Sequence, residues 1–130
     1  MPGSTGVRVE SYCYARVEAC VRLKMINLLE ELFKLLKARG FELTSASTSN
    51  VQVVVGGVRN VRTCGVRVKK RDEGDNVAKI VVWCRGGGEE ENYMEANILF
   101  DKALEAIGDG IVECPPDIDK TLLFSDLEDE

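Results

Sequence analysis

The side chains with the clearest chemical purpose lie between Asn50 and Arg85, and they are cations. From Asn50 to Arg71 the chain carries six Lys and Arg and no acid. Side chains alternate across a strand, so a period of two sorts this stretch into faces. Over residues 61–71, Cys64, Val66 and Val68 point one way, and Gly65, Arg67, Lys69 and Arg71 the other. Over residues 77–85, Ala78, Ile80, Val82 and Cys84 share one face, and Val77, Lys79, Val81, Trp83 and Arg85 the opposite one. Packing the apolar faces against helices gathers Arg67, Lys69, Arg71, Lys79, Trp83 and Arg85 on the free face, with Arg59, Arg62 and Lys70 nearby. Spaced cations neutralise phosphates and release counterions. An indole offers a plane for base stacking, worth about 1–3 kcal/mol per base. Val77 and Val81 would line a groove. The surface presents few groups that tell base edges apart, so it predicts largely sequence-independent binding of single-stranded DNA or RNA.

The plainer alternative is a solvated sheet face kept basic for solubility and edge protection. The missing acids favour binding. The single aromatic counts against it, because stacking platforms usually have two or more. A lone Trp is also commonly a core residue. In the opposite register Trp83 would be buried and Ile80 and Val82 exposed, but Lys79 and Arg85 share the face of Trp83 and argue against that.

Catalytic chemistry finds little support. The sequence has no His, which removes the commonest general base and any His-containing metal site. Gly86-Gly87-Gly88 lacks the Lys and Ser/Thr of a phosphate loop. Glu89-Glu90-Glu91 follows where a phosphate would sit, so a hinge or bulge is the better reading. Consecutive helical residues point in different directions, which weakens these glutamates as a metal site. The five cysteines, Cys13, Cys20, Cys64, Cys84 and Cys114, form no C-x-x-C pair and do not announce zinc. They read mostly as small buried residues with reduced thiols in a cytosolic protein. A cross-strand Cys64–Cys84 disulfide is possible where the compartment allows it, as in some hyperthermophiles. No catalytic residue, metal or cofactor is expected.

The elements that must hold the cations follow from periodicity. Residues 1–13 read as a leader, with Val7–Cys13 a short strand or a lead-in. From Tyr14, apolar residues at 17, 20, 21, 28, 32 and 35 recur at three- and four-residue spacing and predict one long helix, widened by Met25, Leu29 and Leu36. It ends where Lys34, Lys37 and Arg39 precede Gly40. Four strands are predicted at 41–47, 51–55, 61–71 and 77–85, the second stopped by Gly56-Gly57. Asp72 to Asn76 forms a hairpin loop. A second helix opens at Glu89 with Tyr93, Ala96, Phe100, Leu104 and Ile107 as its buried stripe, and Gly108 and Gly110 end it. Ile111-Val112 adds a short edge strand. The expected fold is α+β: a long N-terminal helix, a four-stranded antiparallel sheet and a second helix in one domain over 14–112. An acidic C-terminal tail over 113–130 completes it.

At 130 residues, 45% apolar and 30% charged, the chain suits a single globular domain. No run of about 18 apolar residues is present. The N-terminus has no apolar region of a secretory signal. The net charge of −5 conceals a strong asymmetry. Residues 1–85 hold 15 Lys and Arg against 8 Asp and Glu, a net of +7, and residues 86–130 hold 2 against 14, a net of −12. A basic body with an acidic end suggests an interaction surface and a tail. The tail reads as a docking peptide, as a competitor for the basic face, or as an end whose Leu122, Leu123 and Phe124 pack on the domain or a second subunit.

In its element order, its basic sheet and its N-terminal helix, the chain resembles the archaeal ThermoDBP single-stranded DNA-binding proteins and their relatives over about residues 14–108. The resemblance implies a cleft of apolar and basic residues, homo-oligomerisation and non-catalytic binding of single-stranded DNA or RNA. The chain departs from that family in lacking a long C-terminal zipper helix. High charge content without His fits a thermophilic, cytoplasmic source. The expected nucleic-acid-binding residues are Arg59, Arg62, Arg67, Lys69, Arg71, Lys79, Trp83 and Arg85. The alternative is a scaffold subunit that assembles with protein partners through the long helix and the C-terminal segment.

Overall fold

Two hydrophobic periods compete between Tyr14 and Leu23, and the shorter one wins. In the computed structural model, which describes residues 14–116 and residue 118, Tyr14–Leu23 is a ten-residue strand, β1. Ala15, Val17, Ala19, Val21 and Leu23 enter or pack against the core, while Tyr14, Arg16, Glu18, Cys20 and Arg22 alternate with them. The long N-terminal helix is therefore not formed. Alanines are apolar enough to complete a period of two, yet they leave the helical spacing of Val17, Val21 and Leu28 intact on paper. Met25, expected in the helical stripe, is fully exposed in the link that follows.

The first helix, α1, spans only Leu28–Ala38. Asn27 caps it, its Oδ1 accepting from the Glu30 N–H at 3.0 Å, and Glu30 and Glu31 complement the dipole in the first turn. Leu32, Leu35 and Leu36 are buried. Gly40, at φ +86°, closes the helix as expected: its N–H donates to the Lys37 carbonyl at 2.9 Å and that of Phe41 to the Leu36 carbonyl at 3.0 Å.

The remaining strands are β2 (Glu42–Thr48), β3 (Gln52–Arg59), β4 (Arg62–Lys70), β5 (Val77–Arg85) and β6 (Gly108–Val112), with α2 (Glu89–Ile107) before the last. They form one antiparallel sheet in the order β2-β3-β4-β5-β1-β6. The expected four strands and short edge strand at Ile111-Val112 become six strands, because β1 inserts between β5 and β6. Strand β3 also runs through Gly56-Gly57 rather than stopping there. A Cβ at Gly57 would lie 2.7 Å from the Glu42 carbonyl oxygen, so glycine admits the close approach of β2 beside its bulge between Leu43 and Ser45.

Both helices cover the same face. α1 packs on β2 and β3, α2 on β1, β5 and β4, and the two touch each other. Val53, Val55, Val66, Val68, Ile80 and Val82 meet Leu32, Leu36, Leu99, Phe100 and Ile107 in one core. On α2 the buried stripe is Ala96, Leu99, Phe100, Ala103 and Ile107, whereas Tyr93 is exposed. The stripe starts at Asn92 and Glu95, buried polar residues that hydropathy cannot mark as inside. No helix among the described residues is long and apolar enough to cross a membrane. The readings made of residues 1–13 and of Leu122, Leu123 and Phe124 lie outside the described residues.

Candidate nucleic-acid interface

The β4–β5 register decides which cations share a surface. Arg67 pairs with Val81, Lys69 with Lys79, and Gly65 with Trp83, while Cys64, Val66 and Val68 face Cys84, Val82 and Ile80 in the core. Arg67, Lys69, Lys79, Trp83 and Arg85 therefore stand on the face that neither helix covers, as the alternation predicts. The indole lies across β4 above Gly65. A Cβ there would come within 2.2 Å of the six-membered ring, so only glycine leaves room for it. Arg71 closes the hairpin end, its Nε 3.3 Å from Asp75 Oδ2.

Arg59 and Arg62 are on the other face. They pair with each other at the β3–β4 turn and reach toward α2. Arg59 Nη2 donates to Glu95 Oε1 at 2.8 Å, and its guanidinium carbon sits 4.6 Å from the centroid of the Phe41 ring. Arg39 grips the same carboxylate through Nε at 2.9 Å and Nη2 at 3.0 Å. Burial of Glu95 would raise its pKa, but the hydrogen bonds and charges of Arg39 and Arg59 outweigh it and hold the carboxyl below its ordinary range. Arg62 Nε donates to buried Asn92 Oδ1 at 2.8 Å. Both arginines thus tie α2 to the sheet edge, and they do not belong with the other six.

β1 brings members to the helix-free face that the sequence reading missed. Tyr14 pairs with Arg85, Arg16 with Trp83, Glu18 with Val81 and Cys20 with Lys79. Tyr14 is the second aromatic, and its hydroxyl accepts from Arg16 Nη1 at 3.5 Å. Glu18 is an acid among the cations, 2.7 Å from Lys79 Nζ and 3.3 Å from Arg16 Nε. The alternation Ala15, Val17, Ala19, Val21, Leu23 is the signal that would have found all of them.

This face is not open. Trp83 is only 7% exposed, Lys69 8%, Arg67 1% and Val81 0%. None of Arg16, Arg67, Lys69, Lys79 and Arg85 is a free cation. The indole is on the expected side, but it is buried there rather than presented to solvent.

The thiols differ from the expected reduced state. Cys64 and Cys84, directly opposed across β4 and β5, are joined, and Cys20 is joined to Cys114. Cys20, Cys64 and Cys84 are buried as expected. Among the described residues no group of three or more His, Cys, Asp or Glu is placed to hold a metal ion. Compared with protein-family models and with curated proteins, the sequence matches none.

Proposed function

We propose that this protein binds single-stranded DNA or RNA, largely without regard to sequence, on the helix-free face of its sheet, and that it performs no catalysis. The observation that carries the reading is the register: Arg67, Lys69, Lys79, Arg85 and Trp83 emerge together from adjacent strands, with Tyr14 and Arg16 beside them. Cations would take phosphates, and the two aromatics would take bases. Stacking on an indole only 7% exposed requires that more of the ring become accessible when ligand arrives.

The likeness to the ThermoDBP proteins now rests on charge layout, since the N-terminal helix is a strand. The alternative of a scaffold subunit loses the long helix through which it would assemble. A homo-oligomer and a cytoplasmic setting belong to the proposal. With two disulfides, that setting is of the disulfide-tolerant kind found in hyperthermophiles.

The test is a fluorescence-polarisation titration of the full chain with single-stranded DNA, single-stranded RNA and duplex at two ionic strengths. Binding should favour single strands and fall steeply with salt, and Trp83→Ala should weaken it. A flat salt response rejects the phosphate contacts. Unchanged affinity in a folded Trp83→Ala variant removes the indole from the site.

A further inference from the structure

The two edges of the sheet are built differently. β6 is five residues long, carries Asp109 and turns at Gly110, whose φ is +111°. Shortness, charge and a kink are devices that keep an edge strand from pairing with another chain. β2, past its bulge between Leu43 and Ser45, has none of them. From Leu43 to Val58 sixteen residues pass without a charge, in a chain that is 30% charged. Among the described residues no strand lies beside the outer edge of β2. The N–H and C=O groups on that side are a template for a further strand. Thr44, Ser45, Ala46, Ser47 and Thr48 are all exposed.

The flank of α1 points the same way. Ala46 and Thr48 oppose Val55 and Val53 of the core, so they stand on the helix side of the sheet, yet no helix covers them. Glu31, Lys34, Leu35 and Ala38 line the groove that α1 shares with α2. Leu29 and Phe33, four residues apart, lie on the opposite flank and are only partly buried. α1 packs on β2 and β3, and α2 on β1, β4 and β5. The flank of Leu29 and Phe33 therefore overhangs the β2 edge.

We propose that β2 is a dimer edge: the β2 strands of two copies pair antiparallel about a two-fold axis through Ala46 and join two sheets into one. The interface gives the homo-oligomer proposed above its contact and does not depend on nucleic-acid binding. The chemistry of the edge favours a second copy over any other strand. A two-fold at Ala46 sets Ala46 opposite Ala46 and Ser45 opposite Ser47, so each pair shares one face and the serine hydroxyls can reach one another. The two Glu42 fall about 25 Å apart, well beyond a screening length of about 10 Å. A charged strand from another protein would find no counter-charge between Leu43 and Val58. Antiparallel order also places the helix-covered start of one β2 beside the bare end of the other. Each α1 flank, with Leu29 and Phe33, then gains apolar cover from the second copy, which adds hydrophobic burial to the backbone ladder.

Sedimentation equilibrium of the full chain at about 0.1 mM, a hundredfold above a micromolar dissociation constant, should give the mass of a dimer. Ala46→Lys, at an exposed site, sets two like charges face to face. It should raise the dissociation constant at least tenfold with the far-ultraviolet dichroism unchanged. Ala46→Glu should do the same, and mixing the two variants should restore the dimer. A monomeric unaltered chain overturns the proposal together with the homo-oligomer, and leaves nucleic-acid binding to its own titration. A dimer that both variants leave intact overturns the β2 edge but not the homo-oligomer. Masses that grow past the dimer with concentration overturn the two-fold. A second measurement locates the edge without weakening it. In an oxidised Ala46→Cys chain of dimeric mass, mass spectrometry should find the introduced thiols joined to each other between copies. No such join, or a join to Cys13 of the same chain alone, overturns the proposal.

Discussion

Arg59 and Arg67 sit on adjacent strands of one sheet, yet their surroundings have little in common. Arg59 faces the helices, and α2 meets it with Glu95, itself gripped by Arg39. Arg67 faces away from them, among Lys69, Lys79 and an indole, with Glu18 of β1 as the acid described on that surface. Where a cation packs beneath a helix, the helix carries its counter-charge, because a charge drawn into the packing and left alone is costly. On the face without helices the described counter-charge comes from a strand instead, Glu18 of β1 lying 2.7 Å from Lys79 Nζ and 3.3 Å from Arg16 Nε.

Paired substitutions test how different the two faces are. The largest effect should come from Ile80→Ala, which empties fully buried space under the helices and should lower stability by about 3–4 kcal/mol in chemical denaturation. Its neighbour Val81→Ala, equally buried on the other face, should cost about 1–2 kcal/mol. Equal losses would mean that the helix-free face is a second core of the same weight.

Next comes Glu95→Gln, expected to cost on the order of 2–3 kcal/mol because two arginines lose one carboxylate. Glu18→Gln, at a site 38% exposed, should cost less than about 1 kcal/mol. Glu95 also sets a pH dependence. Its carboxyl is held below the ordinary range in the fold, so through that range the unfolded chain binds more protons than the folded one. The contribution is complete above the usual carboxylate pKa and is lost as the pH falls through the lowered one. Denaturation midpoints measured from about pH 5 down to pH 2 should fall less steeply in Glu95→Gln than in the parent.

Gly65→Ala should cost about 1–2 kcal/mol by pushing the indole off β4, with a shift in Trp83 emission as its signature. The smallest effect should be Arg71→Ala, whose pair with Asp75 is exposed enough that stability should move by less than about 0.5 kcal/mol.

Local pattern was enough for several parts of this molecule. The alternation in residues 61–71 and 77–85 placed the side chains of Cys64–Lys69 and of β5 on their correct faces. The Asp72–Asn76 turn joined them, and Lys37, Arg39 and Gly40 marked the end of α1. These features depend on neighbours in sequence, and backbone geometry repeats them wherever the pattern occurs. β1 was misread because Ala and Cys satisfy two periods at once. The choice between helix and strand was made by β5, whose open edge offers hydrogen bonds to Tyr14–Leu23 from more than fifty residues away. Arg59 and Arg62 were grouped with the wrong surface for a related reason: their partners, Glu95 and Asn92, are polar residues that burial alone turned inward. The burial of Trp83 could not be read locally either, because it depends on the strands paired on either side, such as β4, across whose Gly65 the indole lies. Periodicity assigns a residue to a side of its own element, but whether that side meets water, a helix or a returning segment is an energy balance among elements distant in sequence, and it is struck only when they pack.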